Sequence, residues 1–191
     1  MSTRERLGIF GGSFDPIHIG HLVAAANVRY SLQLDSIRFV VAGQPWQKVE
    51  RGVSDAEVRF QAVSAALAGV EAMEASRMEV DRPGPSYMAD TLGLIRQENP
   101  EAELFLIVGT DVAGNLDSWV RSDEVAELAE LAVVNRPGCS RVALSSKWRL
   151  HEVEIPPLEV SSTDLRARLA DGRPVDFLIP TESLVFLRPK P

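Results

Sequence analysis

Along the whole chain, short apolar runs of strand length alternate with amphipathic stretches of helical period, and that rhythm is the mark of βαβ units around a parallel sheet. It predicts strands at 7–11, 36–42, 75–80, 103–109, 131–135 and 150–155. Between and after them it predicts helices at 18–34, 54–68, 86–97, 122–130, 163–170 and 181–186. In the first helix Ile19, Val23, Ala26 and Tyr30 recur on one face. The second opens on Ser54-Asp-Ala-Glu57, which reads as a capping box with Ser54 as N-cap. No repeat, low-complexity tract or Pro/Ser-rich linker divides the chain, so the expectation is a single α/β domain over 1–191, with C-terminal helices in 156–191. Ligands of such sheets gather at the carboxyl ends of strands, where the strand order reverses.

The 191 residues suffice for a sizeable core without disulfides. The formal net charge of -7 argues against a nucleic acid polymer or an anionic membrane as partner, since both call for a basic surface. The acidity is uneven. Residues 1–50 carry five Lys/Arg against four Asp/Glu, and 51–191 carry fifteen against twenty-three, which makes the first quarter the anion-handling part. The absence of a secretory apolar stretch at the start, and of any run of membrane-spanning length, gives a cytoplasmic expectation. Cys139 is the one cysteine and His residues number three, so a Cys/His zinc cage is not available and no metal ligands are assigned.

Gly8-Ile-Phe-Gly-Gly-Ser-Phe-Asp-Pro-Ile-His-Ile-Gly-His21 carries the most chemistry. Gly11 and Gly12 are read as a tight turn after the first strand, letting the backbone approach a ligand. The N–H groups of the turn and of the following helix start suit phosphate. His18 and His21, at i and i+3, project together from that start, and Gly20 between them leaves room for a flat adenine or a ribose. The loop is neither a Walker A sequence nor a dinucleotide G-x-G-x-x-G.

Gly11-Gly-Ser-Phe-Asp-Pro-Ile-His-Ile-Gly-His21 resembles the signature of the HxGH nucleotidylyltransferases, a Rossmann-like superfamily that transfers nucleotidyl groups from ATP or CTP with release of pyrophosphate. Val160-Ser-Ser-Thr-Asp-Leu-Arg166 resembles the late phosphate motif of the adenylyltransferases acting on nicotinate or nicotinamide mononucleotide. Pro45-Trp-Gln-Lys48, Gly84-Pro-Ser-Tyr-Met-Ala-Asp-Thr-Leu92, Gly109-Thr-Asp111, Trp119 and Arg136-Pro-Gly138 fit as well, and the whole is most similar to the bacterial nicotinate-nucleotide adenylyltransferases. The resemblance implies a doubly wound, mostly parallel sheet, and adenylyl transfer from ATP to nicotinate mononucleotide. Other members of the superfamily, acting on nicotinamide mononucleotide or pantetheine phosphate, and a non-catalytic nucleotide-binding protein on the same fold stand as alternatives.

The roles implied are these. His18 and His21 donate to the ATP phosphates, with His21 nearer the α-phosphate, and a phosphate neighbour keeps imidazole a double donor. Lys48 and Arg166 hold the remaining phosphate charge, with Mg2+ delivered by ATP. Gly11, Gly12, Ser13, Phe14, Gly20, Ser161, Ser162 and Thr163 surround ATP, while Gly109 and Asp111 receive its ribose. Trp119 offers a face for the pyridine ring, Trp46 covers the site, and Arg136 completes the mononucleotide side. The helix start at Ser86, Tyr87 and Met88 reads the carboxylate through backbone N–H groups. Two departures from the common pattern are Met88, where the family mostly has threonine, and Trp46-Gln47 before Lys48 in place of Pro-His. Residues 139–148 are read as a loop near the site, and His151 as a surface residue. The pattern is compatible with self-association but does not require it.

Overall fold

The computed structural model describes residues 4–45, 53–135 and 144–187. Six strands, β1 (Arg6–Gly12), β2 (Ser36–Val41), β3 (Met73–Ser76), β4 (Glu103–Gly109), β5 (Glu130–Val134) and β6 (Leu150–Val153), form one sheet in the order β3-β2-β1-β4-β5-β6. Every pairing is parallel. A parallel sheet covered on both faces needs apolar residues at consecutive positions, and β4 supplies them. Leu104, Leu106 and Val108 enter one core cluster, whereas Phe105 and Ile107 enter the other. Leu131 and Val133 of β5 divide from Ala132 and Val134 in the same way.

The helices are α1 (Ile19–Ser31), α2 (Ala56–Leu67), α3 (Met88–Glu98), α4 (Thr110–Ala113), α5 (Ser122–Leu128), α6 (Ser162–Asp171) and α7 (Thr181–Leu187), with a 3-10 turn at Leu116–Ser118. Residues of α3 and α5 share the first cluster, and those of α1 and α2 the second. A third cluster of Val160, Leu165, Val175, Ile179 and Leu184 lies under the C-terminal helices. It is tied back by Ile19 N–H to the Leu178 carbonyl (2.9 Å) and by the Ser183 hydroxyl to the Ala62 carbonyl (2.7 Å).

The structure corrects several boundaries. The first helix stops at Ser31 rather than 34, because Gln33 takes a left-handed φ of 50° and the N–H groups of Leu34 and Gln33 fold back onto the carbonyls of Arg29 and Tyr30. That is a Schellman-type stop without glycine, and it turns the apolar Leu34 into the core. The cap of α2 is Asp55, not Ser54, and its carboxylate accepts from the N–H groups of Glu57 and Val58. The third strand ends at Ser76 rather than 80. Beyond it the Asp81 N–H turns back to the Arg77 carbonyl, and the Arg77 guanidinium clamps the Asp81 carboxylate. Between β4 and α5, where the apolar rhythm predicts no element, Thr110–Ala113 forms α4 and Leu116–Ser118 the 3-10 turn.

Candidate active site

The strand order reverses between β1 and β4, and there a cleft of about 500 Å³ opens at the carboxyl ends of the strands. It is lined by Gly11, Gly12, Ser13, Phe14, His18, Gly20 and His21 from the early motif, and by Ser161, Ser162, Thr163 and Arg166 from the late one. Gly109, Asp111, Ser86, Tyr87, Met88 and Trp119 line it too, so all the expected site residues among those described meet in one place. Lys48, Trp46, Arg136 and Cys139 lie outside the described residues.

Four local expectations change. Gly11 and Gly12 belong to β1 and neither has positive φ; the residue that turns left-handed is Phe14, at φ 46°. At Gly11 a Cβ would meet only the Met88 methyl, the far end of a flexible side chain that can swing aside. The room beside Gly20 is taken from within, because a Cβ would lie 2.8 Å from Val160 Cγ1 and 3.1 Å from the His18 ring. His21 is not a double donor, for its Nδ1 accepts the backbone N–H of His18 (3.2 Å), which leaves the proton of the neutral ring on Nε2. The Ser86 N–H donates to the Gln44 carbonyl (3.1 Å), so the N–H groups offered by the start of α3 come from the residues after it.

The two histidine rings stack with centroids 3.7 Å apart. Phe14, only 2% exposed, meets His21 edge to face at 5.1 Å, and Phe10 does so at 5.9 Å, so two buried aromatic rings fix the imidazole plane. Phe14 thus serves as a support as well as a wall. Behind the early motif, Arg59 is 1% exposed and donates to the carbonyls of Ser54 (2.8 Å), Ser13 (2.8 Å) and Gly43 (3.2 Å). Burial pushes its guanidinium pKa down, and the nearby Asp15 and Asp55 carboxylates oppose that shift.

Early and late motifs are stitched together directly. Arg166 donates to the Asp15 carbonyl (2.6 Å) across 151 residues of sequence, and the Ser162 hydroxyl donates to the Pro16 carbonyl (3.1 Å). Ser161 caps α6 through its hydroxyl, which accepts the Asp164 N–H (3.2 Å), and the Thr163 hydroxyl accepts from Arg166 (3.2 Å). The N-terminal ends of α1 and α6 therefore face one cleft, the arrangement that gathers phosphate groups. Asp111 lies inside α4, whose N-cap is Gly109, and is an exposed residue lining the cleft.

On the opposite wall, Trp119 packs partly against the first core cluster. Its loop is anchored by Asp117, whose carboxylate accepts from the Trp148 indole N–H (2.8 Å) and the Ser145 hydroxyl (2.9 Å) and pairs with Lys147 (3.3 Å). These partners hold the Asp117 pKa below the usual carboxylate range, the indole bond foremost. Trp148, read as loop, is a core residue at 6% exposure. His151 lies on β6, bonded to Glu130 (2.6 Å) and outside the cleft.

Sequence reasoning missed Arg59, Asp15 and Glu79, which the structure places behind or along the cleft. A charged residue on the apolar side of a helical period was the only signal for Arg59. Among the described residues, no three His, Cys, Asp or Glu side chains converge to hold a metal ion, and no helix is long and apolar enough to cross a membrane.

The cytidylyltransferase-like family model matches residues 9–168. A relative from Saccharopolyspora erythraea, named "Probable nicotinate-nucleotide adenylyltransferase", is 45% identical over 181 residues, covering 94% of this chain and 85% of its own. One of the same name from Streptomyces coelicolor is 46% identical, covering 89% of this chain and 91% of its own. The solved Plasmodium falciparum nicotinic acid mononucleotide adenylyltransferase complexed with NaAD superposes with a TM-score of 0.81 at 16% identity, over 96% of this chain and 95% of that one. At that identity it speaks for the Rossmann-like fold. The identities over nearly the full length speak for descent, and the chain belongs to the cytidylyltransferase-like family and to the nicotinate-nucleotide adenylyltransferases.

Proposed function

We infer that the protein transfers the adenylyl group of ATP to nicotinate mononucleotide, forming nicotinate adenine dinucleotide and pyrophosphate in NAD biosynthesis. The observation that carries this reading is the convergence of the stacked His18–His21 pair, the α6 start with Arg166, and the Trp119 and Met88 wall on one cleft, in a chain 45% identical to a relative of that name. An oxygen of the mononucleotide 5′-phosphate attacks the α-phosphorus, the bond from that phosphorus to the bridging oxygen breaks, and pyrophosphate leaves. No covalent enzyme intermediate is required. The protein's work is to align two mutually repelling anions and to meet the charge that builds on the phosphoryl oxygens.

His21 does this through Nε2, since Nδ1 is held by the His18 N–H. His18, 2% exposed and stacked beneath it, contributes the second imidazole at the start of α1. Arg166 and the α6 N-terminus receive the leaving phosphates. The nucleotide enters as its magnesium complex, the ion travelling with the substrate and offsetting phosphate charge. On the acceptor side the pyridine ring lies against Trp119, and its carboxylate meets the N–H groups at the start of α3. Asp111 accepts a ribose hydroxyl.

Incubation with MgATP and nicotinate mononucleotide tests this: equal amounts of nicotinate adenine dinucleotide and pyrophosphate are expected by mass spectrometry. Pyrophosphate without a dinucleotide, or no reaction, would overturn it.

A further inference from the structure

Glu79 is 4% exposed, lines the cleft, and has no part in the transfer chemistry above. Its carboxylate accepts a hydrogen bond from the Thr91 hydroxyl, and the Ser86 hydroxyl favours its ionised form. These two hydroxyls bracket the start of α3, one just before Met88 and the other in the first turn. Each is itself loaded from outside. Ser86 Oγ accepts the N–H groups of Gly43 (3.1 Å) and Gln44 (3.3 Å) at the exit of β2, and Thr91 Oγ1 accepts from Arg82 (3.4 Å). Backbone packing agrees, since a Cβ on Gly43 would overlap the Glu79 carbonyl. Glu79, Thr91 and Ser86 together thus tie the β2 exit, the 82–87 segment and the first turn of α3 into a single unit.

That unit carries the N–H groups assigned to the acceptor's ring carboxylate. We propose that Glu79 is a positioning residue that fixes the start of α3 and thereby sets the preference for a mononucleotide bearing a ring carboxylate over one bearing an amide. A carboxylate beside an anion site would by itself repel the ligand. The Thr91 and Ser86 hydroxyls and Arg82, 4.0 Å away, offset that charge, while burial foremost, with Asp90 nearby, pushes the Glu79 pKa up.

The proposal rests on the functional reading, and the experiment separates the two. Initial rates are measured for the wild type and Glu79→Gln with MgATP and either nicotinate or nicotinamide mononucleotide. Glutamine keeps the shape but offers one acceptor oxygen in place of two. The KM for nicotinate mononucleotide should rise about tenfold and the acid-over-amide ratio of kcat/KM should fall about tenfold, a shift of one lost hydrogen bond's size, while the KM for ATP stays within about twofold. A merely structural loss would move both KM values together and leave the ratio unchanged, and that result overturns the proposal. Thr91→Val, which removes one donor and leaves the cleft wall intact, should lower the ratio in the same sense by about threefold. It decides the matter if Glu79→Gln does not fold, an unchanged ratio again being the contrary result. A wild type inactive with both mononucleotides would instead defeat the functional reading.

Discussion

The backbone N–H of His18 donates to Nδ1 of His21 at 3.2 Å, beneath rings stacked 3.7 Å apart. One side chain of the motif therefore closes the helix start of the other and has its own proton assigned in the process. His21→Asn should keep an acceptor near the His18 N–H but lose the Nε2 donor. Its turnover is expected to fall by about 10²–10³-fold with little change in melting temperature. His21→Gln, whose amide nitrogen reaches toward the Nε2 position, should retain more activity at lower stability. Equal turnover in the two variants would contradict this assignment.

Arg59→Met should cost about 3 kcal/mol in urea unfolding, because three carbonyls from separate segments lose a buried charged donor. Arg59→Lys cannot span all three and should recover only part. A loss under about 1 kcal/mol would show that the carbonyls of Ser13, Gly43 and Ser54 find other partners.

Gly20→Ala sets helix propensity against sterics. Alanine within a helix is favoured by about 1 kcal/mol, but here its Cβ would stand 2.8 Å from Val160 Cγ1 and press the late motif away from His18. The expected result is a kcat/KM for ATP lower by about tenfold, with most of it restored in the Gly20→Ala, Val160→Ala double variant. Additive losses in a double-mutant cycle would show that the two positions do not touch in the working enzyme.

Asp117 predicts an acid dependence. Its folded pKa lies below the ordinary value, so its share of stability is present above about pH 4, near the unfolded carboxylate value, and is lost as pH falls through the folded value. Melting temperatures of the wild type and Asp117→Asn should therefore differ at neutral pH and converge below about pH 4. A constant gap would assign the difference to packing of the Trp119 loop rather than to the charge.

Much of this was readable from residues alone, and the exceptions share a cause. The strand 103–109 was found to the residue because a doubly buried parallel strand is an unbroken apolar run with glycine at its end. The two phosphate motifs were visible because helix starts have local chemistry. What failed depended on contacts distant in sequence. Trp148 gave no periodic signal and is buried by packing into the first core cluster, with its indole N–H on Asp117. The Cβ direction at Gly20 is filled by Val160, 140 positions further on, which no local pattern shows. Glu79 and Arg59 were not singled out, because each joins segments that meet only in the folded chain.

Pyrophosphate release with MgATP and, in turn, nicotinate mononucleotide, nicotinamide mononucleotide and pantetheine phosphate tests the central claim most directly. The account predicts turnover with the pyridine mononucleotides, highest for the nicotinate form, and none with pantetheine phosphate. Absence of turnover with nicotinate mononucleotide, or a preference for pantetheine phosphate, would contradict it.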